Sequence, residues 1–556
     1  MKWLRKTRSG IETFMAESNK KPKSVEEIPN IHWADHVAED LIEKHPQKEK
    51  FVCASGISPS GVVHIGNFRE AITVDFVVRA LLDRGKNVRF LYSWDDYDAF
   101  RKVPANLPNK ETLEKHLRKP ISEVPDPFGQ FPSYAAHFEK RFEAEISQLG
   151  IKPDYIYQNV PYRSGKYITG IKQALAKEKE IIAILNKSRT EPLPENWTCL
   201  SIFCKTCAKD TTELIQRNSD TVFTYHCKFC KKDDTIDMDK EGGVKLLWRV
   251  DWPMRWAHEG VDFEPGGKDH SSQGGSYDTG VEIVREVWKR DPPTYVQYDF
   301  VIAKGAGAKL SSSSGNLLTV DETLSIYEPA IIRWIFASRK PNLDFAIAFD
   351  LDVIKAYDDF DRCERFAFGT EEGEEKKIRY ERRIYEFSCV DRVFPRDYQS
   401  MPAQFTFRHL CNILQIHQGD IDKAREFYLN QIKNTEDEAR FYSRAKRAWK
   451  WISEFAPEEF KFKLQTVPSH KPTLPHPLKE LIQVLKEDGT EHLSEDELAS
   501  RTFEIMKRNQ VEPKLFFQDV YRILVNKPNG PKLASFLLAI GPKRSAEILE
   551  KALHLT

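Results

Sequence analysis

The chain has 556 residues, 84 basic and 84 acidic side chains, and is 40% hydrophobic and 30% charged. That composition describes a globular protein of roughly three to four domains, and excludes intrinsic disorder, collagen and a multi-span membrane protein. The charge balance excludes a histone-like basic binder while leaving room for local basic patches. No window holds the 18 or so apolar residues of a membrane span, and MKWLRKTRSGIETF leads into no signal-peptide run. Nine cysteines in such a chain read as reduced thiols and metal ligands, so the expected compartment is the cytoplasm.

In chain order, residues 51–57 form a short apolar strand that GISPSG breaks. From about His64 to Arg84, Ile65, Phe68, Ile72, Phe76, Val77, Ala80 and Leu81 recur at helical spacing, and Gly85 supplies the stop. VRFLYSW (88–94) is a second buried strand, which makes a β–α–β unit and implies a parallel sheet. Function in such a sheet sits at the carboxyl ends of its strands, where GISPSGVVHIGN and WDDYD both fall. Residues 101–200, rich in Pro, Lys and Glu with an amphipathic stretch at 134–149, read as an insertion. Strand-like text returns at 245–252 and 295–303, followed by a helix-like 321–337. From 346 onward the pattern is helical, and Thr435 with Glu438 reads as a capping box opening a long amphipathic helix.

Three constellations carry chemistry. Pro59-Ser60-Gly61-Val62-Val63-His64-Ile65-Gly66-Asn67 sets small residues and a histidine at a helix start, where free N–H groups favour phosphate. A plain helix cap is the simpler reading of that histidine alone. Lys304 to Asn316 sets glycines and alanines around Lys309, followed by Ser311, Ser312 and two more serines, a composition able to close over polyphosphate. Cys204-x2-Cys207 and Cys227-x2-Cys230 offer four thiolates for one tetrahedral zinc ion, with Cys199 and His226 as spare neighbours. Four protein ligands close the site, so its expected role is structural. The remaining cysteines, at 53, 363, 389 and 411, are expected to be small buried hydrophobes.

The order strand, PSGxxHIGx, helix, then KLSSS some 240 residues on, resembles the HIGH and KMSKS signatures of class I aminoacyl-tRNA synthetases. Gly267-Lys268-Asp269-His270, Gly274-Gly275-Ser276-Tyr277-Asp278, Leu351-Asp352-Val353-Ile354 and Gly530-Pro531-Lys532-Leu533 are similar to the class I lysyl-tRNA synthetase family. The resemblance runs from about residue 30 to the C-terminus. It implies activation of L-lysine with ATP and Mg²⁺ and transfer to tRNA-Lys; a monomer without membrane attachment is expected. His64 and Lys309 are then the catalytic residues, and Pro59, Gly61, His64, Gly66, Asn67, Lys309, Ser311 and Ser312 the ATP site. Asn67 stands at the fourth HIGH position, and Ser312 replaces the second KMSKS lysine.

The stretch before the histidine loop lacks the cation that clamps a glutamate side chain in related enzymes. An ammonium group instead needs acceptors and aromatic faces, which Gly56, Ser58, Asp95, Trp248, Asp269, His270 and Tyr298 are expected to provide. Arg440, Arg444, Arg447 and Trp449 fall together on the helix after Thr435 and are the candidate tRNA contacts. The expected fold is an α/β Rossmann-type parallel-sheet catalytic domain with a zinc-containing insertion, then an all-α anticodon-binding domain. Its parts are 1–100, the insertion 101–244 with zinc module 199–235, 245–345, and 346–556. Competing readings are a synthetase for another amino acid, a small-molecule nucleotidyltransferase and an RNA-binding scaffold.

Overall fold

The computed structural model describes residues 32–305, 318–391 and 400–555. The first β–α–β unit forms as the sequence predicts. β1 (Lys50–Ile57) and β2 (Asn87–Trp94) pair in parallel from Lys50 opposite Asn87 to Ile57 opposite Trp94, joined by the helix Ile65–Asp83. β3 (Asp154–Tyr157) adds in parallel outside β2. On the other side of β1, Cys53 pairs in parallel with Phe263, Phe263 with Thr294, and Gly266–Gly267 with Gln297–Tyr298. The sheet therefore runs from β3 through β2 and β1 to two short strands from later in the chain. Its order reverses beside β1, where an open α/β sheet presents a crevice for ligand.

Both faces of the sheet are covered, which explains the continuous apolar run of β1. Phe51 and Cys53 face the helix Ile65–Asp83, packing with Phe68, Ile72 and Phe76. Val52, Ala54 and Leu91 face the opposite helix, against Trp252 and Trp256. Inside the first layer the buried Asp75 carboxylate is paired, taking Arg79 at 2.8 Å and Arg333 at 2.6 Å.

Four expectations need correction. KLLWRVDW is not one strand: Val244–Leu246 ends it, and Trp248–Glu259 is a helix whose Trp248, Trp252 and Trp256 recur every fourth residue. Residues 101–200 are not wholly an insertion, because β3 belongs to the main sheet and helix Tyr134–Gln148 is its crossover. The helix-like 321–337 is two helices, Val320–Leu324 and Pro329–Ala337, since the proline opens the second. The long helix Thr435–Glu454 is capped by Asn434, whose side chain accepts from Asp437 N at 2.8 Å, not by Thr435.

From Asp352 on, the described residues form helices without a strand. Among the described residues no helix is long and apolar enough to cross a membrane.

Candidate active site

At the carboxyl ends of β1 and β2 a cleft of about 1100 Å³ opens. It brings together Gly56, Ser58, Gly61, His64, Gly66 and Asn67 on one wall with Asp95, Trp248, Asp269, His270 and Tyr298 on the other. Residues up to 242 positions apart in sequence thus meet in one place, as strand-end placement predicts. Pro59 is an exception: it is buried behind the loop and does not line the cleft.

The histidine loop works through its helix cap. His64 is the N-cap of Ile65–Asp83, and its Nδ1 accepts from Gly66 N at 3.1 Å. In return Asn67 Oδ1 accepts from His64 N at 3.2 Å. The cap reading and the phosphate reading are therefore compatible, because the cap fixes the tautomer. With Nδ1 accepting, the ring proton sits on Nε2, and burial holds the imidazole pKa below its ordinary value. A neutral Nε2–H donor and the Asn67 amide remain for a ligand at the positive end of a 19-residue helix. Gly66 is required here by space: a Cβ would lie 2.8 Å from the His64 ring carbon Cε1.

Lys309, Ser311 and Ser312 lie outside the described residues. Both flanks of their segment border the cleft. Ile65 N donates to Leu318 O at 2.8 Å and His64 pairs with Thr319. Val301–Lys304 pairs in parallel with Phe345–Ala348, and Val301 lines the cleft.

Across the cleft from the histidine loop the acids sort by partner. Asp95 is not the open acceptor expected of it: Arg255 Nη1 reaches its Oδ1 at 2.6 Å, and Asp251 lies 3.5 Å from the same guanidinium. Asp96 accepts from Asn159 N at 2.8 Å, and burial raises its carboxyl to about 6. Asp98 takes the Lys245 ammonium and the Ser58 hydroxyl, the latter at 3.0 Å. Tyr298 donates to Glu70 Oε2 at 2.6 Å, while Ser55 Oγ and Gly56 N donate to its Oε1, each at 3.0 Å. Trp248 stacks on Trp252, 5.2 Å between ring centres at 14°.

Behind Gly56 the cleft continues into a smaller pocket floored by Glu264. The sequence does not single out Glu70 or Glu264. Glu70 falls in a helix whose apolar periodicity draws the eye, and Glu264 in a loop. The signal available was the WxxxWxxxW spacing, which announces a helix face with indole donors.

The cysteine pairs meet. Cys204 and Cys207 sit in the turn after Leu200–Ile202; Cys227 and Cys230 join two strands of a three-stranded antiparallel sheet, Thr212–Arg217, Val222–Cys227 and Lys232–Asp237. All four sulfurs lie within 4.8 Å of one another, with Cys204–Cys230 and Cys207–Cys227 at 3.7 Å. A tetrahedron of zinc–sulfur bonds about 2.3 Å long separates its sulfurs by about 3.8 Å, so the residues fit the ion. The spare neighbours do not join. His226 points to the other face of its strand, toward Asp233 at 2.6 Å, and Cys199 is buried in another cluster position beside Glu178.

The candidate tRNA arginines turn inward. Arg444 is fully buried, bonded to Glu328 and Asp361; Arg440 pairs with Glu364 at 2.8 Å. Arg447 donates to the carbonyls of Leu324 and Tyr327, both at 3.0 Å. Trp449 is half-buried against the core. These residues fasten the helix Thr435–Glu454 to the body instead of facing RNA, because its acids lie on other elements that the sequence could not bring alongside.

The family described as tRNA synthetases class I (K) matches residues 31–391. A lysine–tRNA ligase of Borrelia garinii subsp. bavariensis is 44% identical over 530 residues, covering 94% of this chain and 100% of its own. Those of Treponema pallidum and Pyrococcus furiosus are 42% and 40% identical, covering 94% and 92% of this chain and 98% and 97% of theirs. Cleft, capped histidine loop and near-full-length similarity agree: the chain belongs to the class I lysine tRNA synthetase family.

Proposed function

We propose that the protein activates L-lysine with ATP to lysyl-adenylate and transfers lysine to the terminal ribose of tRNA-Lys, releasing AMP and pyrophosphate. The observation that carries this is the His64–Asn67 cap, which aims neutral donors and a helix N-terminus into the cleft shared with the amino-acid residues.

The lysine carboxylate attacks the α-phosphorus in line and pyrophosphate leaves, so no protein nucleophile is needed and positioning carries the rate. His64 Nε2–H and the Asn67 amide hold phosphate oxygens as charge shifts toward the leaving group. Lys309, Ser311 and Ser312 belong to the same reading, as donors on the opposite side. The exposed Asp269 carboxylate on the cleft would be the protein oxygen to hold magnesium, whose remaining places would fall to water and substrate phosphate. When bound, it would offset pyrophosphate charge.

The sheet is read as a Rossmann-type catalytic domain, the cysteine site as structural zinc, and the C-terminal helices as the tRNA anticodon-binding part of a monomer. Charging of bulk tRNA with each labelled amino acid in turn tests the proposal. Acid-precipitable label is expected with lysine; label with another amino acid instead would refute it.

A further inference from the structure

The cysteine module and the cleft are joined by residues that belong to neither site. Lys209, two positions after Cys207, is only 7% exposed and has no carboxylate partner among the described residues. Its Nζ donates to Leu117 O at 2.6 Å and to Lys115 O at 3.3 Å, carbonyls at the trailing end of the short helix Lys110–Lys115. The same ammonium lies 4.3 Å from the centre of the Phe229 ring, which sits between Cys227 and Cys230. One buried cation is thus seated on both cysteine knuckles and on the chain beside the cleft.

Asp210 adds a second tie. Its carboxylate takes Arg118 Nε and Nη2, both at 2.8 Å, and its backbone N donates to Arg118 O at 2.9 Å. Arg118 holds a φ of +73°, a left-handed conformation that a non-glycine residue keeps only where its surroundings fix it. The hydrogen bonds continue to the cleft: Arg118 N donates to Phe100 O at 2.7 Å, Phe100 N to Lys119 O at 2.8 Å, and Ile121 N to Asp98 O at 2.9 Å. The next residue, Arg101, is exposed and opens the lip 101–106 of the cleft.

Glu70, Asp95, Asp98, Asp269 and Asp299 line this cleft, so phosphate is repelled from it unless a free cation faces it. Lys268 is taken by Asp299 at 3.1 Å. Arg101 makes no ion pair or hydrogen bond among the described residues, and Asp210 acts on it only through space. We propose that Lys209 and Asp210 are positioning residues, which fasten the cleft lip to the paired cysteine knuckles and so hold Arg101 where it meets a substrate phosphate. Arg101 lines both the main cleft and a side pocket of about 260 Å³ that reaches Asp210 and Thr212 of the module. The triphosphate of ATP and a phosphodiester at the RNA 3′ end present the same chemistry to a guanidinium there. The inference rests on the ATP- and RNA-using reaction and the zinc reading above, and gives the module a part in substrate binding.

The packing agrees with the hydrogen bonds. Tyr97 and Ala99, on the stretch that leads into the lip, share an apolar cluster with Phe203, Cys204 and Cys227, apart from the core of the sheet. The Tyr97 and Phe203 rings lie 5.0 Å apart. Disturbing the knuckles should therefore loosen the lip while the sheet stays folded.

The test uses full-length, zinc-loaded protein, with zinc content measured in every variant. Hydrogen exchange over residues 98–121 reads the lip without turnover. K209M and the milder D210N should speed exchange at Phe100 and Arg118 by about tenfold or more, with the helices after Asp352 unchanged. Titrations of ATP with magnesium and of bulk tRNA identify the source of the phosphate. R101Q should weaken at least one of them about tenfold, the loss of one charge-assisted hydrogen bond. K209M and D210N should weaken that same ligand, and either one combined with R101Q should weaken it no further than R101Q alone. Should K209M lose zinc, D210N carries both readouts. Unchanged exchange in the variants that keep zinc, R101Q binding both ligands within twofold of wild type, or multiplied losses in the double variants would overturn the proposal. Charging of another amino acid by wild type would refute the lysine reading alone, since neither titrated ligand is specific to lysine.

Discussion

Replacing Arg444 by methionine tests whether the arginine helix is internal scaffolding. The guanidinium gives bonds of 3.0 Å to Glu328, 2.8 and 2.9 Å to the two Asp361 oxygens, and 2.9 Å to the Phe405 carbonyl. Methionine fills similar volume but leaves Asp361 and Glu328 facing each other with side chains only 7% and 11% exposed. Removing one partner of a buried ionic group costs about 3–5 kcal/mol. Arg440, 3.9 Å from Asp361, compensates weakly. Burial already pushes the Asp361 carboxyl up, so protonation will absorb part of the loss, most of all at low pH. At roughly 2–4 °C per kcal/mol for a unit of 150–250 residues, the melting temperature should fall by roughly 6 °C or more. The assay is thermal unfolding followed by tryptophan fluorescence, to which the fully buried Trp451 on the same helix contributes. Adding Asp361→Asn should recover part of the loss, since it removes the stranded charge. An unchanged melting temperature combined with weakened tRNA binding would refute this assignment and restore Arg444 as an RNA contact.

Other substitutions probe the cleft and the cysteine site. His64→Ala and Lys309→Ala should each slow adenylate formation by about 10²–10⁴, measured in single turnover, while lysine binding stays near wild type. Gly66→Ala should slow the same step without lowering the melting temperature appreciably, because the new methyl displaces only the His64 ring. Cys204→Ser should abolish stoichiometric zinc, measured by atomic absorption, and destabilise the region around the Leu200–Ile202 and Val244–Leu246 pair.

The parts that the sequence made legible are those where neighbouring residues do the work. The β1–helix–β2 unit announces itself through an apolar run, a helical period and a glycine stop. The paired CxxC knuckles need only two short turns to be convincing. Strand-end placement also collected His64, Trp248, His270 and Tyr298 correctly into one cleft.

What stayed hidden depends on partners distant in the chain. Asp95 looks like a free acceptor until Arg255, 160 residues later, folds over it. Arg440, Arg444 and Arg447 read as a basic RNA face until Glu328, Asp361 and Glu364 arrive from other helices. β3 escaped because four residues inside Pro- and Lys-rich text carry too little periodicity to register. The tryptophan helix reads as a strand because its first residues continue the apolar run of Val244–Leu246.

Amino-acid-dependent exchange of pyrophosphate with ATP tests the central claim most directly. It should be run with lysine and with glutamate, glutamine, arginine and cysteine controls, each with and without tRNA-Lys. The account predicts exchange with lysine alone among the amino acids, the tRNA arm showing whether RNA completes the site, and its loss in His64→Ala. Exchange with no amino acid even in the presence of tRNA, or equal exchange with glutamate, would contradict it.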